Sequence, residues 1–271
     1  MKYAIEVRGL EKKYGSKMVL KGLDLQIEKG EIFALLGVNG AGKTTTLECI
    51  EGLRKYDGGT VIVNGKMGIQ LQSSSLPAHI KPMEAIKLFA KWNQTSINNT
   101  MLKALEIKEI EKSQYLQLST GQKRRLHLAL ALISNPDIIF LDEPTAGLDV
   151  EGRLSLHEQI RKLKSQGKTI VLASHDMAEV ETLCDRIAIL NSGKIVFCGT
   201  PSELTDRLGR KYFIHLKTRD GEESFETDTI EDTLISLLEE CKQKNIQVLD
   251  IKVDRGTLEQ HFIEMARRGS E

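Results

Sequence analysis

The sequence predicts an α/β protein whose core is a mostly parallel β-sheet with helices on both faces. A complete glycine-rich phosphate-binding loop lies between an apolar segment and a helical one. From residue 136 onward, short apolar segments alternate with amphipathic ones, as is typical of parallel sheets that are covered on both faces. Alternating apolar positions in the first thirty residues predict an additional antiparallel β subdomain at the amino terminus.

The composition is that of an ordinary globular protein. The chain has 271 residues, 40% of them hydrophobic and 28% charged, and its 38 basic residues balance its 38 acidic ones. This length suits one full domain, or one domain with a small extension. The balanced charge gives no sign of nucleic acid as a partner. No stretch reaches the ~20 apolar residues needed to cross a bilayer, so we expect a cytoplasmic protein that serves a membrane only through a partner.

The cysteines and most of the histidines carry no recognisable site. The four cysteines lack the spacing of a zinc site or a disulfide framework, and we expect all four to be structural. Five of the six histidines, His157 among them, are expected to pack in the interior or lie at the surface. His175 is the exception because of its place in the sequence, which is described below.

The elements of the first half are read from the spacing of apolar residues. Strands are predicted at 2–9, 18–27, 31–36 and 61–64. Between 82 and 108 the spacing becomes helical, and one helix is predicted to bury a face formed by Ala85, Leu88, Phe89 and Trp92. Ser119 is a typical N-cap residue, and it opens a helix that is predicted to reach Ser134.

The second half alternates strands and helices until a boundary at Gly209–Lys211. Strands are predicted at 137–141, 168–174 and 186–190, and helices at 150–166 and 176–183. Beyond the boundary, a shorter mixture of strands and helices follows, with helices at 230–244 and 257–267. The chain is therefore expected to consist of a first domain, 1–209, and a small α+β carboxy-terminal domain, 210–271.

The phosphate-binding loop (P-loop) is the run Gly37–Thr44, which fits the pattern G-x-x-x-x-G-K-[ST]. Its glycines let backbone N–H groups converge on phosphate oxygens at the positive end of the following helix. Lys43 is predicted to reach the β- and γ-phosphates and Thr44 to ligate Mg²⁺. A glycine-rich turn without a ligand is disfavoured because few unrelated chains match this pattern. The predicted nucleotide contacts from this region are Gly37, Asn39, Gly40, Ala41, Gly42, Lys43, Thr44 and Thr45.

Four further segments indicate which class of P-loop protein this chain resembles. They are the signature segment Leu118–Gln122 (LSTGQ), the apolar run Ile138–Pro144 (IIFLDEP), the D-loop Ala146–Asp149 (AGLD) and the switch segment Ala173–Asp176 (ASHD). In sequence, order and spacing they resemble the ATP-binding cassette (ABC) family over about residues 1–205. The resemblance implies a P-loop NTPase core, a helical subdomain at about 76–135, ATP as the nucleotide and Mg²⁺ as the metal.

The carboxylate pair Asp142 and Glu143 ends a predicted buried strand. Asp142 is expected to hold Mg²⁺ together with Thr44, and Glu143 to polarise the attacking water as general base, an effect typically of ~10²–10⁴-fold. A cluster of helix-capping carboxylates is the alternative, and the P-loop and D-loop argue against it. His175 follows the next strand, at the sheet edge where ligands of open α/β sheets bind, and the resemblance implies that it contacts the γ-phosphate.

The resemblance assigns roles to two further residues, and for each of them an alternative interpretation remains open. Within Met67–Gln72, Gln72 is placed at Mg²⁺ and the attacking water, with Gln70 as its competitor. Tyr14 occupies the place of the aromatic residue that stacks on adenine in this family. A tyrosine that ends a strand also commonly has only a structural role.

The resemblance also implies that one chain does not complete the site. Ser119, Gly121 and Gln122 would close over the ATP held by a second copy or a paralogue, and Asp149 would cross the same interface. Two ATP molecules would then lie between the subunits of a homodimer or heterodimer. Thr120 replaces the first glycine of the family's signature, and we expect this change to be tolerated because its neighbours are intact.

The resemblance implies that the chain is the energy-supplying subunit of a transporter, bound to a separate membrane-spanning permease on the inner face of the membrane. The run 257–262 (TLEQHF) resembles the ending of drug-exporter ATPases and favours export. A cassette protein acting on ribosomes or DNA is disfavoured because a second cassette, a long coiled coil and a basic patch are absent from the sequence. A small-molecule kinase or GTPase would leave the signature segment unexplained, and the sequence has no guanine-reading N/T-K-x-D run.

Overall fold

A computed structural model of the protein describes residues 2–70, 75–174, 176–207, 212–219, 221–244 and 246–255. Gln72, His175, the boundary at 209–211 and the run 257–262 lie outside the described residues. The chain divides into two compact units, one ending at Cys198 and the other beginning at Gly199. The domain limits given above, including the helical subdomain at 76–135, stay predictions.

The described elements alternate much as the sequence predicts. The strands are β1 (Tyr3–Tyr14), β2 (Lys17–Glu28), β3 (Ile32–Leu36), β4 (Gly58–Val63), β5 (Met67–Gln70), β6 (Ile138–Asp142), β7 (Thr169–Ala173), β8 (Arg186–Asn191), β9 (Lys194–Gly199), β10 (Tyr212–Thr218), β11 (Glu222–Thr227) and β12 (Val248–Arg255). The helices are α1 (Lys43–Ile50), α2 (Pro82–Trp92), α3 (Asn99–Ala104), α4 (Thr120–Leu132), α5 (Val150–Ser165), α6 (Met177–Leu183), α7 (Pro201–Arg207) and α8 (Ile230–Gln243).

A six-stranded sheet forms the centre of the first unit, in the order β5-β6-β7-β3-β8-β9. The strands from β5 to β8 pair in parallel. Strands β3 and β7 consist entirely of buried residues, as expected of strands covered on both faces. Because parallel strands end at the same edge, the segments that follow β3, β6 and β7 meet there. In the register of the sheet, Ala173 is the partner of both Leu35 and Asp142.

The predicted antiparallel subdomain is confirmed as a sheet of three strands in the order β2-β1-β4. Its strands alternate buried and exposed positions over much of their length. The buried side chains of this sheet share one hydrophobic cluster with β3, β6 and α1, through residues such as Ile5, Leu23, Phe33 and Phe140. Sheet and P-loop helix are therefore held by a common core.

Helix α2 corrects one expectation of the sequence analysis. Its buried residues include Ala85, Ile86 and Ala90, whereas Leu88 is 54% exposed and Trp92 is 78% exposed. The buried stripe is thus rotated by about one residue from the predicted one. The spacing of apolar residues predicted the helix correctly. It did not determine which face is buried, because apolar residues occur on both sides of the helix. The predicted burial of Leu88 and Trp92 is wrong.

The second unit contains an antiparallel sheet in the order β11-β10-β12. Helix α8 packs against β10, and the buried side chains include Ile214, Leu216, Leu237 and Cys241. This arrangement confirms the small α+β extension. Within the described residues of both units, no helix is long and apolar enough to span a bilayer.

Candidate nucleotide-binding and hydrolysis site

The P-loop turns tightly from β3 into α1, and two glycines make the turn possible. A β-carbon at Gly37 would lie 2.6 Å from the carbonyl oxygen of Leu190, which is too close for any side chain. Gly42 is the N-cap of α1 and has a φ of 110°, a conformation that other residues rarely adopt. The hydroxyl of Thr46 donates to the carbonyl of Gly42 at 2.9 Å and fixes the first turn. The first N–H groups of such a helix have no partner within it and suit an anion.

Lys43 lies across its own loop. Its Nζ donates to the carbonyl oxygen of Gly37 at 2.6 Å and is 3.4 Å from that of Val38. Burial lowers the pKa of the Lys43 ammonium, and the nearby carboxylates of Glu143 and Asp142 act in the opposite direction. The structure therefore brings the predicted phosphate-binding lysine and the carboxylate pair into one electrostatic site.

Asp142 and Glu143 are held differently although they are adjacent. Asp142 ends β6, and burial raises the pKa of its carboxyl, with a further rise from Glu143 and a partial offset by Lys43. Glu143 has a φ of 46°, in the left-handed region that costs a residue with a side chain free energy. Its N–H donates to the carbonyl of Ala173 at 2.9 Å, which keeps it at the edge between β6 and β7. Strained backbone of this kind concentrates at functional sites.

The oxygen atoms at this edge fit a magnesium ion. Mg²⁺ prefers hard oxygen ligands such as the Thr44 hydroxyl and the Asp142 carboxylate. The raised pKa of Asp142 reflects a buried negative charge beside a second carboxylate, and a nearby cation would stabilise both. Thr44 and Asp142 are thus suited to Mg²⁺, and their assignment stays a prediction.

Gln72 and His175 lie outside the described residues, so their roles also stay predictions. Gln70, the competitor of Gln72, ends β5 and is 3% exposed. Its Oε1 has no hydrogen-bond partner among the described residues, and it lines a cavity of about 320 Å³ together with Phe89 and Leu130. Strand β5 itself was not expected from the sequence, because four residues are too few to show a period.

Tyr14 ends β1 with its side chain 42% exposed. Two cations flank the ring: Lys12 Nζ is 5.5 Å and Arg54 Cζ 5.4 Å from its centre. Cations over an aromatic face stabilise its position. The ring is accessible, as stacking on adenine requires, and that role stays a prediction.

The signature segment and the D-loop each cap a helix. Ser119 Oγ accepts a hydrogen bond from the Gln122 N–H at 3.2 Å, and Gln122 Oε1 accepts one from the Ser119 N–H at 2.9 Å. This reciprocal pair confirms the predicted N-cap of α4. Asp149 caps α5 through a single hydrogen bond, which its Oδ1 accepts from the Gly152 N–H at 2.8 Å. Both segments are therefore rigidly attached to helix starts.

These two helix starts open into one cavity of about 700 Å³. Its lining includes the signature residues Ser119 to Gln122, the D-loop residues Gly147 to Asp149, and the two arginines Arg124 and Arg125. A β-carbon on Gly147 would lie 3.4 Å from the methyl group of Thr120, so the signature and D-loop are in close contact. No residue of the P-loop is among those that line this cavity.

Two buried glutamates near the site were missed by the sequence analysis. Glu51, at the end of α1, is 8% exposed. Burial, together with Asp142 and Glu48, raises its pKa to about 7. Glu179 in α6 is 3% exposed. The available signal was weak, because another glutamate lies close by in each helical segment, Glu48 near Glu51 and Glu181 near Glu179, and the sequence does not distinguish them.

Comparison with known proteins places these features in a family. Residues 20–146 match the family model described as ABC transporter. The chain is 30% identical to the linearmycin resistance ATP-binding protein LnrL of Bacillus subtilis (strain 168), over 97% of this chain and 98% of that protein. It is 36% identical to the Nod factor export ATP-binding protein I of Burkholderia orbicola (strain AU 1054), over 74% of this chain and 72% of that protein.

Solved structures show the same architecture. A structure of the ATP-binding subunit of an ABC transporter superimposes with a TM-score of 0.70 at 26% identity, covering 76% of this chain and 93% of that one. A metal-chelate type ABC transporter in an inward-facing conformation gives a TM-score of 0.66 at 22% identity, which supports the fold. The predicted fold class is confirmed by these similarities.

Proposed function

This chain belongs to the ATP-binding proteins of the ABC transporter family, and we propose from this premise that two such subunits close around two ATP molecules and drive export through a separate permease. The family binds and hydrolyses ATP, so the chain is an ATPase of the exporter type. Dimerisation, the separate permease and the roles of single residues are the parts that we propose.

The separation of two surfaces carries the proposal of a dimer. The P-loop and carboxylate pair form one site at the sheet edge, whereas the signature segment and D-loop line a different cavity. Both surfaces carry groups suited to phosphate, namely helix starts and cations. A second chain related by symmetry can bring one surface onto the other, so that each ATP contacts the P-loop of one subunit and the signature of its partner.

Hydrolysis of ATP requires mainly positioning and electrostatic stabilisation of the transferred phosphoryl group. We assign the β- and γ-phosphates to the P-loop N–H groups and Lys43, and the attacking water to Glu143 as general base. Thr44, Asp142 and Gln72 would hold Mg²⁺, which neutralises phosphate charge when it is bound. His175 would contact the γ-phosphate, and Tyr14 the adenine.

Across the dimer interface, Ser119, Gly121 and Gln122 would contact the γ-phosphate, and Asp149 would contact the partner subunit. To shift a pair of subunits from 1:99 to 99:1 in favour of the closed dimer, ATP must stabilise it by about 5.5 kcal/mol. Two sets of charge-assisted hydrogen bonds, one for each ATP, are of the right order. Cleavage of ATP removes these contacts and lets the subunits separate.

The helical region after β5 offers a surface for the permease. Leu88 and Trp92 on α2 are exposed, and so is Leu116, at 66%. Large apolar side chains that stay exposed in a monomer commonly mark an interface. We propose that this surface receives the permease, which holds the chain at the inner face of the membrane. Two relatives are named for resistance and export, and export is accordingly the proposed direction.

Complementation of two inactive variants tests the shared site. Lys43→Ala removes the phosphate-binding lysine, and Ser119→Arg places a bulky cation in the signature. Each variant alone should lose ATP turnover. A mixture should regain turnover, because the Ser119→Arg chain keeps an intact P-loop and the Lys43→Ala chain keeps an intact signature.

The same assay can contradict the proposal. If the site lies within one chain, the mixture will show only the sum of the two separate activities. Wild-type turnover in Ser119→Arg alone would likewise show that the signature segment is not part of the hydrolysis site. Binding of ATP to the Ser119→Arg variant, measured at equilibrium, is the control that its P-loop is intact.

A further inference from the structure

We infer that Glu179 is a positioning residue for ATP hydrolysis. Its buried side chain links the segment after the carboxylate pair to the switch segment. The inference rests on the proposed function, because it concerns the same hydrolysis site. Glu179 has no place in the site residues assigned above.

The carboxylate of Glu179 is shared by two hydroxyl groups from different strand ends. Its Oε2 accepts a hydrogen bond from Ser174 Oγ at 2.7 Å and one from Thr145 Oγ1 at 3.1 Å. Ser174 directly follows β7 and precedes His175, and Thr145 lies two residues after Glu143. All three side chains are buried, with Glu179 and Ser174 each 3% exposed. One buried carboxylate thus joins the two segments that flank the proposed chemistry.

A histidine faces the other oxygen of the same carboxylate. Oε1 of Glu179 lies 3.4 Å from Nε2 of His157, on the helix that Asp149 caps. Within the described part of the chain, neither of these two atoms has a hydrogen-bond partner. The carboxylate therefore also contacts the helix that begins at the D-loop.

A second tether, at the surface, joins the switch segment to the D-loop. Arg153 Nε donates to the carbonyl oxygen of Leu148 in the D-loop, and its Nη1 donates to Asp176 Oδ2 in the switch segment, each at 3.3 Å. Asp176 Oδ1 in turn accepts from the Glu179 N–H, and the Asp176 N–H donates to Ser174 Oγ, each at 3.1 Å. The switch segment is thus connected to Thr145 through Glu179 and to the D-loop through Arg153.

The physical chemistry explains why a carboxylate suits this position. Burying a charge without partners is costly, whereas hydrogen bonds from two hydroxyls to one carboxylate are charge-assisted and short. Loss of the shared acceptor leaves two buried hydroxyls without a partner, and each strand end can then shift independently. A displacement of about 1 Å in a catalytic group costs up to about 100-fold in rate, so a residue that touches no nucleotide can still set turnover.

The first test is Glu179→Met, which keeps a similar length but removes the shared oxygen acceptor, with Glu181→Met as the matched control. Glu181 lies on the same helix, is exposed and lies outside this network. We expect Glu179→Met to lower kcat for ATP by about tenfold or more while KM changes little, and Glu181→Met to keep the kcat of the wild type. Equal kcat in Glu179→Met and wild type would overturn the inference.

Variants of the two hydroxyl-bearing residues distinguish a positioning role from a general loss of stability. They also serve as the test if Glu179→Met does not fold. Thr145→Val should lower kcat, and Thr145→Ser, which restores the hydroxyl, should recover it. Because both hydroxyls act through one carboxylate, Thr145→Val and Ser174→Ala combined should lower kcat by less than the product of their separate effects. Fully multiplicative effects, or no recovery in Thr145→Ser, would contradict a shared acceptor.

These results are distinguishable from failure of the proposed function. A wild-type chain that does not hydrolyse ATP would contradict the site assignment itself. A wild-type chain that hydrolyses ATP, with a Glu179→Met variant of equal kcat, would contradict only the role of Glu179.

Discussion

Glu143 occupies a backbone conformation that glutamate rarely adopts, and it does so at the end of a buried strand. Its φ of 46° is held by the hydrogen bond from its N–H to Ala173. Such a conformation costs about 1–2 kcal/mol in a residue with a β-carbon. Fold stability alone would favour glycine here, so the carboxylate side chain has a use that outweighs the strain.

This strain gives a prediction about stability. Glu143→Gly and Glu143→Ala both remove the carboxylate, but only the alanine variant keeps the strained β-carbon. We expect Glu143→Gly to be more stable than Glu143→Ala by about 0.5–1 kcal/mol, after the greater chain entropy of glycine is subtracted. Chemical denaturation of the two variants measures the difference. An alanine variant of equal or greater stability would show that the backbone is relaxed.

The buried carboxyl of Glu51 makes stability depend on pH. Its pKa in the folded protein is about 7, above that of an unfolded glutamate. Below the unfolded pKa the group is protonated in both states and costs nothing. As pH rises toward 7, the unfolded state loses its proton first, so the free energy of unfolding falls. Above pH 7 the penalty is complete.

Glu51→Gln removes this titration. With solvent screening taken into account, we expect the substitution to stabilise the nucleotide-free protein by about 1–2 kcal/mol more at pH 8 than at pH 4.5. Urea denaturation at the two pH values measures this change. The same stabilisation at both values would contradict the raised pKa.

The residues of the site differ in how far the sequence could predict them. The P-loop and the carboxylate pair form contiguous patterns that the chemistry itself requires, and the structure brings Lys43, Asp142 and Glu143 together as expected. Glu51 and Glu179 could not be identified in this way. Their burial depends on which helix faces the sheet edge, and that is decided by tertiary packing of residues distant in sequence.

At the scale of elements, continuous apolar runs predicted the buried parallel strands most accurately. The strands β3, β6, β7 and β8 lie within a residue or two of the predicted limits because buried parallel strands consist almost wholly of apolar residues. Strand β5 was not predicted from the sequence. It has four residues, lies at the sheet edge and contains Gly68, whose added β-carbon would lie 2.2 Å from the carbonyl oxygen of Ala131.

The exposed side of α2 leads to a prediction about partner binding. Because Trp92 is 78% exposed, Trp92→Gln should change the free energy of unfolding by no more than about 0.5 kcal/mol. The same variant should retain less of the membrane permease on affinity purification from detergent extracts. Lys87→Gln, an exposed substitution on the same helix, is the control. Undiminished co-purification of the permease with Trp92→Gln would place the docking surface elsewhere.

Helix α4 begins with Thr120, which stands in the place of the first glycine of the signature pattern that this segment resembles. The methyl group packs toward Gly147 of the D-loop, and threonine has a higher helix propensity than glycine. We expect Thr120→Gly to lower the free energy of unfolding by roughly 0.5 kcal/mol and to retain ATP turnover. Turnover that appears only after this substitution would show that Thr120 disables the natural site.

At the scale of the whole molecule, the account depends on the separation of two surfaces that we propose to bind phosphate. One consists of the P-loop, Lys43 and the carboxylates, and the other, the signature segment and the D-loop, lines a different cavity. The carboxylate of Glu179 joins Ser174 to Thr145, two residues after Glu143, and Arg153 joins Asp176 to Leu148 of the D-loop. We propose that closure around ATP at one surface alters the geometry at the other through these bonds.

The mass of the Glu143→Gln variant in solution, measured by light scattering, tests this claim most directly. The substitution removes the proposed general base, so bound ATP should persist. With saturating Mg²⁺ and ATP, the account predicts the mass of two chains. With ADP, or when Ser119→Arg is added to the same chain, it predicts the mass of one. A Glu143→Gln chain that binds ATP tightly and still has the mass of one chain would contradict the account.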